Sequence, residues 1–154
     1  MSTLREDVER GAEWISHALT SSGYRADFKP RSLWEVDRFL DEHSRDGMAN
    51  AGGLLSDELG QRLFAIGSYI GEVVRRELGG EWFGDDENPE GEIAVELRLS
   101  DGSLCWPVQR TMKRFKNGPE DGIATWGSAL GLQVGPRPDR PRERLLKRLF
   151  SRSK

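Results

Sequence analysis

The sequence predicts an α+β domain, with helices packed on a small antiparallel sheet and a flexible basic tail behind it. Three observations carry this reading. Apolar residues recur at helical spacing over 4–19, 33–40 and 59–78, and one later segment, Ile93 to Leu99, alternates apolar and polar residues as a half-buried strand does. Charge is also unevenly placed: residues 136–154 hold eight Lys or Arg against two acids, whereas residues 1–135 hold fifteen against twenty-four. Such a split separates a folded body from an appendage directed at a membrane, a nucleic acid or an acidic protein surface. We therefore divide the chain into a single α+β domain, 1–135, and a Pro/Arg-rich tail, 136–154, ending in a short amphipathic helix.

The elements follow in order. Thr3-Leu-Arg-Glu6 has the spacing of a capping box, in which a hydroxyl and a carboxylate each satisfy an amide left unpaired by the first helical turn. Leu4, Val8, Ala12, Ile15 and Leu19 then form a stripe, with Trp14 and His17 beside it, and Ser21-Ser22-Gly23 supplies a stop. Tyr24 to Pro30 is expected to be extended, since Pro30 biases Lys29 away from helix. A second box, Ser32-Leu-Trp-Glu35, opens a helix that turns Leu33, Val36, Phe39 and Leu40 inward and fades between His43 and Gly47. Met48 to Gly53 reads as a loop. Ser56-Asp-Glu is expected to start the longest helix, with its acids at the positive end of the dipole. Its face is Leu59, Leu63, Ile66, Ile70, Val73 or Val74, and Leu78. Gly67 and Gly71, one turn apart within it, each cost up to about 1 kcal/mol relative to Ala and so mark close backbone packing. Gly79-Gly80 ends it.

Glu81-Trp82-Phe83 reads as a short strand, and Gly84 to Gly91 as an acidic loop. In the strand that follows, Ile93, Val95, Leu97 and Leu99 share one face. Asp101-Gly102 suits a two-residue hairpin turn, a register that pairs Leu99 with Leu104, Arg98 with Cys105 and Leu97 with Trp106. Pro107 suits the first position of a helix carrying Val108, Met112 and Phe115, which Asn117-Gly118 closes. Pro119-Glu-Asp121 starts another, with Ile123, Trp126 and Leu130 inward. Past Gly135, Pro136, Pro138 and Pro141 make a spacer. Leu145, Leu146, Leu149 and Phe150 then gather on one side of a short helix, with Arg142, Arg144, Lys147 and Arg148 around the rest. A helix of that length needs a surface on which to form.

Chemistry-bearing motifs are sparse. Cys105 is the single cysteine, so there is no intramolecular disulfide and no thiolate cluster. Its activation would need His17 or His43, both on N-terminal helices. Asp85, Asp86, Glu87, Glu90 and Glu92 lack the spacing of a calcium loop. Glu58, Glu72 and Glu77 lie on the long helix without the histidines of a helical metal box, and Glu72 is placed to pair with Arg75 or Arg76. Gly52-Gly53 and Gly79-Gly80 are followed by no Lys-Ser or Lys-Thr pair, so nucleotide chemistry has no support. No apolar run approaches the roughly 18 residues of a bilayer span, and the start of the chain lacks a signal-peptide pattern, so the expected location is cytoplasmic, with attachment at the membrane periphery as the alternative.

The block Ile66-Gly-Ser-Tyr-Ile-Gly-Glu-Val-Val-Arg-Arg-Glu-Leu-Gly-Gly-Glu-Trp82, with Gly102 to Pro107 and Lys113-Arg-Phe-Lys-Asn-Gly118, resembles a group of uncharacterised bacterial proteins of the DUF3806-like kind. The shared pattern is a helix reading roughly GxYxGE, a glycine-ended turn before Trp, a strand, and a proline-started helix. It spans about residues 33–130. The resemblance implies a small α+β domain and carries over no activity, cofactor or catalytic residue.

The expectation for function is a non-catalytic protein-interaction or adaptor module without cofactor, metal or small-molecule substrate, which binds another protein and uses the C-terminal segment, Arg142 to Phe150, as a second contact. Immunity-type proteins, which neutralise a toxin by surface binding, fall in this class. The alternative is a peripheral membrane protein whose tail meets anionic lipid: the Leu/Phe side enters the headgroup boundary and each basic residue adds about 1 kcal/mol near the surface. Nucleic acid, held by phosphate contacts alone, ranks behind both. A hydrolase using Cys105 is a distant third to the two main readings.

Overall fold

Thr3 opens the first helix as its spacing predicts: its Oγ1 accepts the Glu6 N–H at 3.2 Å, and α1 runs Leu4–Ser21. The computed structural model describes residues 3–85, 87, 93–139, 145–146 and 148–150 of the chain. The fold is α+β. α2 (Ser32–His43) is followed by a two-stranded hairpin, β1 (Ser44–Arg45) and β2 (Met48–Ala49), and then by the long α3 (Leu59–Leu78). An antiparallel sheet of β3 (Gly80–Phe83), β4 (Glu96–Leu99) and β5 (Leu104–Cys105), in that order, leads into α4 (Pro107–Asn117) and α5 (Ile123–Leu130).

α3 is the centre. α1 and α4 pack along it, β3 and β4 lie against it, and α2 packs on α5. Ile66, Tyr69, Ile70, Val73 and Val74 are fully buried, joined by Ile15 and Leu19 from α1, Leu33 and Phe39 from α2, and Leu97 from β4. Leu132 and Val134 close the core at its C-terminal end, where the Trp34 indole N–H is shared between the carbonyls of Val134 and Gly135, each at 3.2 Å.

Two expected helix starts are displaced. Ser32 does not cap α2: its Oγ donates to the Lys29 carbonyl at 2.6 Å and accepts the Tyr69 O–H at 2.7 Å. Glu35, its supposed partner, accepts instead from the Arg25 N–H and pairs with Arg38. The segment before it is not simply extended, because Phe28 takes a left-handed φ of 62°, its N–H donating to Tyr69 Oη at 3.0 Å. Likewise Ser56 does not open α3. Its Oγ donates to the Gly53 carbonyl and closes a short 3₁₀ turn, Leu54–Ser56, and Glu58 sits at φ 50°, so the helix begins at Leu59 with no acid in its first turn.

Two of the three Asp-Gly pairs make hairpins, but the turns differ. Asp46 and Gly47 have φ of 51° and 77°, the two left-handed positions of a type I′ turn, and join Arg45 to Met48 where a fading helix and a loop were expected. At the second pair only Gly102 is left-handed, at 91°. The Gly102 N–H donates to the Leu99 carbonyl and the Leu99 N–H donates to Ser103, so the loop has three residues, Ser100 to Gly102. The register is therefore Leu97 with Cys105 and Arg98 with Leu104, one residue from the two-residue expectation. A one-residue slip moves every side chain to the other face. Cys105 goes into the core, while Leu104 and Trp106, expected inside, are 47% and 41% exposed. Ile93, expected on the inner face of β4, lies before the strand and is exposed.

Candidate functional site, a donor-rich groove beside the sheet edge

The slip in register creates the surface that stands out. Leu104 and Trp106 line one side of a groove of about 240 Å³, with Cys105 between them. Gln109, Arg110 and Lys113 come from the outer face of α4, and Trp126 and Leu130 from α5 form the opposite wall. Pro107 fixes where α4 begins, and spacing of four residues then sets Gln109 and Lys113 one above the other. Trp126 and Leu130, expected to point fully inward, are only partly buried, because Ile123, Ala124 and Gly127 take the inner face of α5.

The groove's polar chemistry is one-sided. α4 holds Arg110, Lys113, Arg114 and Lys116 and no acid, on a body that is otherwise acidic. Arg110 has Asp121 at 3.6 Å, but Lys113 has no ion pair or hydrogen bond among the described residues. Nor do the indole N–H groups of Trp106 and Trp126 have an acceptor there. The hollow is thus lined by two tryptophans, a lysine and an arginine and by no acidic residue.

Behind the groove, α4 and α5 are held by a buried network that the helical pattern did not reveal. Arg114, 2% exposed, donates through Nε to Asp37 Oδ1 at 2.9 Å and through one terminal nitrogen to Asp41 Oδ1 at 2.6 Å and the Asp37 carbonyl at 3.1 Å. The Asp37 carboxylate also accepts the N–H groups of Ile123 and Ala124, each at 2.9 Å. A side chain of α2 therefore caps the first turn of α5. The signal available in the sequence was Arg114 itself, a charge at the inward spacing between Thr111 and Phe115.

The other candidate residues separate from this groove. Burial, and secondarily the Glu96 carboxylate, push the Cys105 thiol up to about 12, so it is protonated at neutral pH. His17 is exposed on α1, and His43 stacks on Phe39 with ring centroids 4.4 Å apart. Such a thiol lacks the ionised form that nucleophilic attack requires. Glu72 is 3% exposed and fully partnered: Arg75 donates to it at 2.6 and 3.0 Å, and the Trp82 indole at 2.9 Å. Burial works to raise its pKa, but these donors and the charges of Arg75 and Arg76 prevail and hold it below the usual carboxylate range.

Gly67 and Gly71 pack within the chain. A Cβ at Gly67 would lie 2.6 Å from the Val108 Cα, and one at Gly71 would overlap the Trp82 ring. The absence of a side chain at these two positions lets Val108 of α4 and the Trp82 ring lie directly on the α3 backbone. Glu58 has Arg62 at 3.9 Å, and Glu77 is exposed. Of the acidic loop, Asp85 and Glu87 are exposed, while Asp86, Glu90 and Glu92 lie outside the described residues. Among the described residues there is no group of acids, His and Cys that could hold a metal ion.

In the tail, Leu145, Leu146, Arg148, Leu149 and Phe150 are helical, and the four apolar side chains are 44% to 71% exposed. Arg142, Arg144 and Lys147 lie outside the described residues. Among the described residues no helix is long and apolar enough to cross a membrane. No family model, curated protein or solved structure matches the chain.

Proposed function

We propose that the chain is a non-catalytic, cytoplasmic protein-interaction module whose principal contact is the groove between β5, α4 and α5. The observation that supports this reading is the exposure of Leu104 and Trp106 beside donors on Trp106, Trp126 and Lys113 that have no partner among the described residues. A half-exposed tryptophan set in an apolar hollow with a charged rim has the composition of an interface anchor, where Trp and Arg are enriched. The hollow is smaller than the roughly 300–1,000 Å³ that small-molecule sites occupy, which favours a macromolecular partner over a metabolite.

Affinity capture from native lysate with mass spectrometry tests it on the full chain, on Trp106→Ala and on the double variant Leu146→Asp, Phe150→Asp. The expected result is a partner retained by the tail variant and lost by Trp106→Ala. A partner lost only by the tail variant would move function to the C-terminal segment.

That outcome would favour the second reading, attachment to anionic lipid. It is supported by the helical state and outward exposure of Leu145, Leu146, Leu149 and Phe150 within a segment that carries six net positive charges.

A further inference from the structure

We infer that the groove takes a short extended acidic segment of a protein partner, which adds as a strand to the open edge of β5 and sets its carboxylates against α4. This rests on the groove being the binding surface, and it specifies the conformation and charge of what binds.

The backbone argument comes from the register. In an antiparallel pair, residues that exchange both hydrogen bonds alternate with residues that exchange none. The Leu99 N–H donates to Ser103 at 2.8 Å, which makes Leu99 and Ser103 a bonded pair. Leu97 with Cys105 is then also bonded, and Arg98 with Leu104 is not. The Leu104 N–H and C=O therefore point away from β4. β5 is the last strand of its sheet, and among the described residues nothing pairs with these two groups. An extended chain can exchange both bonds with Leu104, which is how strand addition gains affinity, while its alternate side chains enter whatever pockets flank the edge.

The side chains flanking this edge choose the charge. Lys113 and Arg110 stand on one side, and the indole N–H groups of Trp106 and Trp126 have no acceptor among the described residues. The apolar lining, Leu104 and Leu130 with the two indole rings, takes a large aliphatic or aromatic residue next to the acid. The chain's own tail has the wrong sign for this position, since its eight basic residues would face Arg110 and Lys113.

Selection of a random linear-peptide display library against the full chain tests the inference, followed by amide exchange and salt titration of the selected peptides. Expected binders are rich in Asp and Glu around an alternating apolar position. They slow exchange of the Leu104 amide, weaken at least tenfold with Lys113→Glu, and weaken as ionic strength rises. Trp106→Ala and Lys113→Glu alter exposed positions, so the two variants together separate loss of binding from loss of fold.

Binders that depend on Trp106 but are helical or basic would overturn strand addition by an acidic segment and leave the groove as the interface. A Trp106-dependent dimer displaced by such peptides in sedimentation would assign the groove to a second copy and overturn it as well. Failure to select any peptide sensitive to Trp106→Ala or Lys113→Glu would remove the groove reading itself.

Discussion

At the residue scale, the most exacting position is Gly71. Because a Cβ there would overlap the Trp82 ring, Gly71→Ala must push Trp82 off Glu72 or separate β3 from α3. We expect a loss of about 1–3 kcal/mol by urea denaturation, the range for forcing a methyl group into a packed site. A fully stable variant would mean that Trp82 has another seat. Glu72 links the same corner to pH. Its carboxyl is held below 4.5 in the folded chain, so the unfolded chain binds the proton more readily, and this contribution is present above about pH 4.5 and lost as pH falls through the folded pKa. Stability of Glu72→Gln should therefore decline less on acidification than that of the wild type, read from urea midpoints at a series of pH values. Cys105 offers a cleaner readout. With its thiol buried and shifted to about 12, iodoacetamide at pH 8 should label it only as fast as the domain opens. Rapid labelling of the native chain would contradict the observed register.

At the element scale, the two Asp-Gly hairpins show how much the sequence discloses. Helix identity was legible because Leu4 to Leu19, Leu33 to Leu40 and Leu63 to Val74 repeat at one period and bury on one face. Turn type was not, because the same dipeptide serves two geometries. Asp46-Gly47 places both residues left-handed, whereas around Asp101 only the glycine is, and Ser100 joins the loop. That single extra residue decides which side of β5 meets the core. Leu104 and Trp106 looked internal by composition, so the groove they build was invisible to hydrophobic pattern alone. Tertiary partners also outweigh local caps: Ser32 bonds with Tyr69, 37 residues away, in place of closing its own helix. The register makes opposite demands on neighbours. Leu104→Lys should alter stability by no more than about 0.5 kcal/mol, as surface changes do, while Cys105→Lys should cost about 3–5 kcal/mol through an unpaired buried charge. Denaturation midpoints in the reverse order would restore the two-residue turn.

At the scale of the whole molecule, the chain joins an acidic body to a tail of opposite sign, and the two halves make separable predictions. Tail attachment to lipid would appear as co-sedimentation with vesicles containing phosphatidylserine at low salt, absent with pure phosphatidylcholine and abolished by Leu146→Asp with Phe150→Asp. Vesicle binding that survives the double variant would rule out entry of that apolar face. The body's behaviour depends instead on how its helices lean on each other. α5 has only eight residues, too few to persist by itself in water, and the carboxylate that satisfies its first amides belongs to α2, 86 and 87 residues earlier in the chain. The last helix of the body therefore takes its N-terminal cap from the second, through Asp37, which Arg114 holds in place. Trp126 and Leu130 ride on that helix, so one wall of the groove is anchored by a carboxylate from α2, and whatever settles there bears on a joint between segments 86 residues apart in the chain.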